Sequence, residues 1–316
     1  MSPQDLTVRP LADNSELDRF LELRYVLDDE LADDLAAGFR RPEWMWIATR
    51  GDRVLARTAW WGPVGAATPV HFDFLDVDDT LPPEEGAAIG VVLVGEAMRA
   101  IFPEGAEPPE FGRFLPPDWR DDPAVRQATE TRFAILEKLG AHLLVERHRL
   151  EWRAGTPLPD PGSRLSFRTV NDRDDLVNLM VPVLEGTLDA HSRTDLEQMT
   201  PREVAGQHYD EEFAGFTSPH DWWQVGESAS GEPVGFVIPA RNDYNAILAY
   251  IGVLPAHRGH GYVDDLLAQG TRILAEQGVP RIRASTDLLN VPMAAAFARA
   301  GYVNFEHAVN YTWKSD

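Results

Sequence analysis

The chain has 316 residues, of which 44% are hydrophobic and 25% are charged. This is an ordinary globular composition, and the length is sufficient for two domains. The formal net charge of -22 argues against a general nucleic-acid or membrane-surface role, because such partners select basic surfaces. The absence of cysteine excludes disulfides, thiolate metal sites and a cysteine nucleophile.

The sequence suggests neither export nor membrane insertion. The first residues lack a basic segment followed by an apolar core, so no secretion signal is visible. The longest apolar run, residues 87–95, is too short to span a bilayer. We therefore expect a soluble, cytoplasmic protein.

The elements predicted in the first half alternate between strands and helices. Strands are predicted at residues 6–10, 45–50, 54–60, 70–77 and 142–152, and helices at residues 15–37, 83–102 and 124–139. The proline-rich stretch 103–123 is interpreted as a surface loop or interface.

The second half predicts the same order. It has strands at residues 165–170, 246–254, 281–286 and 302–313, a hairpin around Ser230 and Gly231, and helices across 174–213, 262–277 and 292–300. Residues Val263, Leu266, Leu267, Gly270 and Leu274 have the spacing of a buried helical stripe.

Short sequence matches indicate a duplicated domain. Residues 6–9 match 165–168, residues 51–54 match 231–234, and residues 139–153 match 300–314, in the same order. We therefore predict domains at 1–153 and 165–316, joined by a proline- and glycine-rich linker at 154–164. The second copy has an insertion at 186–213, which we interpret as a candidate substrate pocket.

Because hairpins dominate the strand connections, we predict an α/β (α+β) fold. It consists of two tandem domains, each a mixed, largely antiparallel sheet flanked by helices.

The most informative stretch is residues 247–265. An apolar run ends at Pro255, a turn with Arg258, Gly259 and Gly261 follows, and a helical pattern then begins. Free N–H groups at a helix start attract anions, glycines permit close backbone approach, and an arginine fork suits phosphate. The stretch predicts a site for a phosphorylated ligand.

Two common phosphate motifs do not fit this stretch. A P-loop requires Gly-Lys-Ser/Thr, and a dinucleotide fingerprint requires a third glycine where this chain has Asp264.

The block Arg258-Gly-His-Gly261-Tyr-Val263, together with residues 286–302 around Asn290 and Gly301, instead resembles the GCN5-related N-acetyltransferase (GNAT) superfamily. The arrangement resembles tandem GNAT proteins organised like mycothiol synthase, with a degenerate first copy. There, Asp78, Asp79, Glu84 and Glu85 would repel a pyrophosphate.

The resemblance implies acetyl-CoA as cosubstrate, with no metal. It implies coenzyme contacts from these residues: Val253, Leu254, Arg258, Gly259, His260, Gly261, Tyr262, Val263, Asn290 and Phe297. The N–H of Val253 would polarise the thioester carbonyl. Asp264 and Asp265 are predicted to face away from the phosphates.

The catalytic residues are less closely specified. The family's usual general acid is a tyrosine, but Phe297 stands at that position, so either Tyr250, Tyr262 or Tyr302 donates the proton or the thiolate leaves with help from water. Asp287 is the first candidate for the general base, followed by His191 and Glu185, with water as an intermediary. Asp287 has the alternative of a capping role.

The resemblance implies an N-acetyltransferase that acts on the primary amine of a small molecule held between the halves. The acidic composition fits a cationic acceptor such as an amino sugar, a polyamine-like metabolite or an amine-bearing antibiotic. The alternatives are a non-catalytic acyl-CoA-binding sensor, or a protein N-acetyltransferase with an open groove. We expect no nucleic-acid or membrane partner, and a monomer or homodimer.

Overall fold

The computed structural model describes residues 6–242 and 244–314. Residues 1–5, part of the segment used above to argue against a secretion signal, lie outside this range. Tertiary contacts divide the chain into two units. Unit 1 is Met1–Val145 with Ala308–Asp316, and unit 2 is Glu146–His307.

The two units differ from the domain limits predicted from the repeats. Residues 146–153 belong to the first sequence repeat, yet they lie in unit 2. Pairing explains this, because strand β6 (His142–Arg153) pairs with β11 (Arg281–Asp287) from Arg147 to Arg153. Conversely, the end of strand β12 (Val303–Thr312) lies in unit 1, where β12 neighbours β5 (Phe111–Leu115). The predicted limits follow the duplication and stay a prediction.

Unit 1 contains the first five strands and four helices. The strands are β1 (Leu6–Pro10), β2 (Met45–Arg50), β3 (Arg53–Trp61), β4 (His71–Val77) and β5. The helices are α1 (Leu17–Phe20), α2 (Leu31–Ala37), α3 (Pro83–Ile101) and α4 (Pro123–Lys138). The strand order is β1-β2-β3-β4-β5-β12, antiparallel from β1 to β4 and parallel between β4 and β5.

One prediction for unit 1 holds in outline and one is wrong. Residues 15–37 are mostly helical, but the helical stretch is broken into α1, α2 and two 3₁₀ segments with turns between them. The stretch 103–123 is more than a loop because it contains β5. Alternate residues of β5 are buried, and the prolines on both sides concealed this period of two.

The strands of unit 2 follow a similar order. Its strands are β6, β7 (Ser166–Thr169), β8 (Gln224–Glu227), β9 (Pro233–Arg241), β10 (Ala246–Val253) and β11. Its helices are α5 (Arg173–Val183), α6 (Ala190–Leu196), α7 (Pro201–Gln207), α8 (Tyr262–Glu276) and α9 (Val291–Arg299), with a π-helical turn at His208–Glu212. The strand order is β6-β11-β10-β9-β8-β7, and β10–β11 is the parallel pair. The predicted fold class, a mixed and largely antiparallel sheet with helices, is confirmed.

Helix α8 packs on the unit 2 sheet as its sequence period predicts. Leu266, Leu267, Gly270 and Leu274 are buried, and Val263 is partly buried. The leucines belong to one apolar cluster that includes residues of β9, β10 and β11. Burying such a stripe contributes about 1.5–3 kcal/mol for each large side chain. The start of α8 is thereby held at one end of β10. Among the described helices, none has the length and apolarity needed to cross a bilayer.

Candidate functional site

Strands β10 and β11 separate soon after they begin. Their parallel register consists of Ala246 with Ile282 and Ile247 with Arg283. Farther along, the N–H of Leu254 donates to Val234 of β9 at 2.9 Å. Because successive residues of a strand direct their polar groups to opposite sides, the N–H and C=O of Val253 point away from β9. The end of β10 thus presents backbone groups to the gap beside β11.

A cavity of about 440 Å³ occupies this gap. Of the residues proposed from the sequence, Val253, Arg258, Gly259, Gly261, Tyr262, Val263, Asn290, Phe297, Tyr250 and Asp287 line it. The cavity therefore brings together the glycine turn, the end of β11 and the start of α9. Residues 186–189, at the start of the predicted insertion, also contribute to its wall.

The glycine turn is shaped for an anion. Gly259 and Gly261 have φ of +78° and +74°, a region that strains any residue with a Cβ. Gly261 is the N-cap of α8 and has no side chain with which to cap the first-turn N–H groups. Those N–H groups and the positive end of the helix dipole form a suitable site for a phosphate group.

The side chain of Arg258 is bonded to backbone carbonyls. Its Nε donates to the Val253 carbonyl at 3.2 Å, its Nη1 to the Glu185 carbonyl at 2.7 Å and its Nη2 to the Val183 carbonyl at 2.8 Å. Carbonyl groups at the end of α5 are open acceptors, and a cation is favourable there. Arg258 therefore fastens the turn to α5, and its predicted contact with a phosphate group stays a prediction.

A second arginine, Arg164, holds the same turn from the predicted linker. It donates to the carbonyls of His260 and Gly261, both at 2.9 Å, and forms an ion pair with Asp265 at 2.5 Å. Asp264 pairs with Arg299 at 2.7 Å. Each acid in the first turn of α8 is thus matched by an arginine, which reduces its repulsion of a bound anion.

Asn290 and Phe297 form the α9 side of the cavity. The Asn290 side chain accepts the Met293 N–H at 3.3 Å and caps α9, which explains why an asparagine precedes this helix. Phe297 is buried and packs edge-on against Tyr302. The Tyr302 hydroxyl is itself bonded to Thr271 at 2.9 Å within the core. Tyr302 is therefore removed from the candidate acids, whereas Tyr250 and Tyr262 line the cavity.

Asp287 at the end of β11 is fully hydrogen-bonded. It is 3% exposed, its Oδ1 accepts Arg147 Nε at 2.8 Å and its Oδ2 accepts the Ala190 N–H at 2.7 Å. Arg147 also donates to Asp189 at 2.5 Å. Burial favours a raised pKa for Asp189, but Arg147 and the Ser192 N–H outweigh it, so this pKa lies below its ordinary value. Asp287 was predicted as the first candidate for the general base. In the structure its two carboxylate oxygens already accept hydrogen bonds from Arg147 and from the start of α6.

Tyr250 lies at an irregularity in β10. The register with β9 shifts between Leu248 and Tyr250, as a β-bulge produces. Its ring stacks on Phe236 with centroids 5.6 Å apart. Burial, followed by the charge of Asp189, raises the pKa of the Tyr250 hydroxyl, which therefore stays protonated at neutral pH. A protonated hydroxyl at the cavity wall is able to donate a proton or a hydrogen bond.

Five predicted site residues do not line the cavity: Tyr302, Leu254, His260, His191 and Glu185. Leu254 packs against an apolar cluster, and Glu185 contributes its carbonyl to Arg258. Across residues 6–242 and 244–314, no group of three or more His, Cys, Asp or Glu side chains is placed to bind a metal ion.

Sequence reasoning missed Arg147 and Arg164. Both lie before residue 165, outside the predicted second domain, and their role depends on long-range pairing. The register of β6 with β11 places Arg147 opposite Asp287. The available signal was a basic residue in the final strand of the first repeat, which is weak without the pairing.

Unit 1 contains a similar gap that side chains fill. Its parallel strands β4 and β5 share the register pair Phe72 with Phe111. Arg113 donates to the Leu75 carbonyl at 3.2 Å, and Arg132 donates to the Val77 carbonyl at 3.3 Å. Both arginines also contact the buried carboxylate of Asp76. The backbone carbonyls at the end of β4 therefore already accept hydrogen bonds from side chains of unit 1.

Of the four acids that the sequence singled out after β4, three form ion pairs. Asp78 pairs with Arg53, Asp79 with Arg132 and Glu85 with Arg50.

A splayed parallel pair, an uncapped helix start and a glycine turn with positive φ meet at one cavity in unit 2. Residues 190–302 match the Acetyltransferase (GNAT) family, so the chain contains a GNAT domain over this range. No curated protein matches the sequence.

Solved structures extend the similarity in fold to nearly the whole chain. A GCN5-related N-acetyltransferase from Sphaerobacter thermophilus is 14% identical, with a TM-score of 0.58 over 98% of this chain and 96% of that one. The glucosamine N-acetyltransferase region of a fungal multi-domain beta-N-acetylglucosaminidase is 15% identical, with a TM-score of 0.54 over 98% of this chain and 38% of that one. A tandem GNAT protein from the clavulanic acid biosynthesis pathway is 18% identical, with a TM-score of 0.48 over 98% and 100% of the two chains. At these identities the first two similarities establish a shared GNAT fold.

Proposed function

We propose that the chain is an acetyl-CoA-dependent N-acetyltransferase that transfers the acetyl group to a primary amine of a small molecule. The observation that carries the proposal is the Val253 N–H at the end of β10, directed away from β9, beside the uncapped start of α8, both facing one cavity of about 440 Å³. A ligand made of an extended amide chain linked to a pyrophosphate fits both the end of β10 and the start of α8. Its amides can pair with a strand edge, and its phosphates can bind helix N–H groups.

In the proposed reaction the amine nitrogen bonds to the thioester carbon, the C–S bond breaks and the thiolate takes up a proton. The Val253 N–H, directed away from β9, is the proposed donor to the carbonyl oxygen on which charge develops. Tyr250 is the proposed proton donor to the thiolate because it lines the cavity and holds its proton at neutral pH.

The amine must lose one proton before or during attack. Asp287 was the first candidate to accept it, but both its oxygens accept hydrogen bonds and one faces a guanidinium. We propose that the proton passes to water and that Asp287 positions Arg147 and the start of α6.

The pH dependence of kcat/KM tests this assignment. For Asp287→Asn we expect a lower kcat/KM but an unchanged shape of the profile, since the amine itself titrates. Loss of the limb below neutral pH in the variant would instead identify Asp287 as the base.

Release of thiol from acetyl-CoA in the presence of a panel of primary amines tests the function as a whole. We expect amine-dependent release together with one N-acetylated product. Calorimetric titration with CoA measures the binding step separately.

One observation favours a second candidate, a non-catalytic acyl-CoA sensor. Phe297 stands where the family resemblance implies a proton-donating tyrosine, and its ring is buried in the core. Tight CoA binding with no thiol release for any amine would support the sensor.

A further inference from the structure

Arg147 is a cation fixed in the wall of the unit 2 cavity. It belongs to β6, and the register with β11 places it opposite Asp287. Its side chain is 28% exposed and lines the cavity. Such a cation contributes to the choice of ligand when some of its N–H donors are not already bonded to the protein.

The two carboxylates that hold Arg147 use one edge of its guanidinium group. Nε donates to Asp287 and Nη2 donates to Asp189. Asp287 is anchored by the Ala190 N–H at 2.7 Å and Asp189 by the Ser192 N–H at 2.8 Å. The carboxylates are therefore fixed themselves, and they orient the guanidinium plane.

The other edge of the guanidinium group consists of Nη1 and the second hydrogen of Nη2. Neither of the two carboxylates uses this edge. Within the described part of the chain, Nη1 of Arg147 has no hydrogen-bond acceptor. Two parallel N–H donors in one plane match the two oxygens of a carboxylate. Partly buried donors without a partner are costly, so a ligand that supplies both oxygens gains affinity there.

The charge balance at this end of the cavity selects the kind of ligand. Asp189, Asp287 and Glu212 all act on Arg147, so negative charge outweighs positive charge around it and a simple anion is not favoured. An acceptor that carries an ammonium group as well as a carboxylate offsets this excess while it uses the free edge of Arg147. Near Tyr250 and Leu188 the wall also offers apolar surface to a small side chain.

We propose that the acceptor is an amine that also bears a carboxylate, of the amino-acid class, and that Arg147 binds this carboxylate. The inference rests on the proposed acetyltransferase function and assigns its substrate class. Arg147 is a specificity-determining residue and takes no part in proton transfer.

The test compares acceptors in matched pairs, an amino acid against the amine obtained by removing its carboxylate and against its carboxamide. With acetyl-CoA saturating, we expect kcat/KM to be higher for the carboxylate-bearing member by about tenfold to a hundredfold, mainly through KM, as for a charge-assisted bidentate contact. In Arg147→Gln the ratio falls towards one, and in Arg147→Lys part of it is retained. Arg202→Gln removes a surface arginine of α7 that bonds Asn178, and it keeps the original ratio.

A ratio near one in the original chain, or a ratio preserved in Arg147→Gln, would overturn the inference. If Arg147→Gln does not fold, Arg147→Lys and the original chain decide the matter, since the ratio requires no glutamine variant. Absence of thiol release with every acceptor, while CoA still binds, is a different outcome that refutes the acetyltransferase function itself.

Discussion

Arg258 distinguishes two explanations of the glycine turn, a clamp on the backbone or a phosphate ligand. In the structure its three donor nitrogens bond the carbonyls of Val253, Glu185 and Val183. A net hydrogen bond contributes about 1 kcal/mol, and less where solvent competes. Because Arg258 is exposed, the expected loss for Arg258→Ala is about 2 kcal/mol of the free energy of unfolding.

This loss corresponds to a decrease of roughly 4–8 °C in the Tm of a unit of this size. Calorimetric unfolding of Arg258→Ala measures it, with Arg299→Ala as the matched control. Arg299 also lies close to α8, but it forms an exposed pair with Asp264, and such pairs contribute about 0–1 kcal/mol. We therefore expect the control to unfold near the original temperature.

Binding of CoA completes the comparison. A clamp acts by placing the turn, so Arg258→Ala weakens binding while the dependence of the Kd on salt stays the same. A direct phosphate contact is screened by ions, and its removal makes the Kd less dependent on salt. An unchanged Tm together with a flattened salt dependence would refute the clamp.

The other predictions concern the catalytic hydroxyl, the turn and the buried charges of unit 1. Tyr250→Phe should lower kcat by about tenfold to a hundredfold with little change in Tm, whereas Tyr302→Phe, which loses a core hydrogen bond, should lower Tm and leave kcat unchanged. Gly261→Ala and Gly278→Ala, with φ of +74° and +70°, should each lose about 1 kcal/mol of stability, but CoA titration should detect weaker binding for Gly261→Ala alone. Burial opposes ionisation of Asp76, but three arginines lower its pKa to about 2; its contribution, roughly 2 kcal/mol, is therefore complete above pH 5 and lost as the pH falls towards 2. Urea unfolding at pH 7 and pH 3 should show this loss, and equal acid sensitivity in Asp76→Asn would contradict it.

The local parts of the site could be predicted from the sequence. The turn at Gly259 and Gly261 requires positive φ, and Asn290 before a proline-initiated helix indicates a cap. The stripe of α8 indicates its buried face. Each of these features depends on residues a few positions apart, where dihedral preference and helical period decide the outcome.

The parts that depend on distant pairing could not be predicted. Arg147 reaches Asp287 because β6 pairs with β11, and Arg258 turns to α5 because of how α5 ends near the turn. An arginine followed by glycines suggests a phosphate ligand equally well in either case. Competition between protein carbonyls and a ligand for the same donors is settled by tertiary structure, which the sequence pattern does not contain.

The two units show two ways of satisfying the backbone groups where a parallel pair of strands separates. The strand on one side of the gap keeps backbone groups that need partners, because an unpaired buried carbonyl or N–H group costs free energy. In unit 1, Arg113 and Arg132 supply these partners from inside, and buried Asp76 balances their charge. A pantetheine chain would have to displace charge-assisted bonds to enter there. In unit 2 the Val253 carbonyl accepts Arg258 Nε, but the Val253 N–H faces a gap that is lined and not filled, so its partner must come from solvent or from a ligand. In unit 1 the bonded end of β4 is therefore a larger obstacle to a ligand than repulsion by the acids after β4, since ion pairs neutralise three of the four.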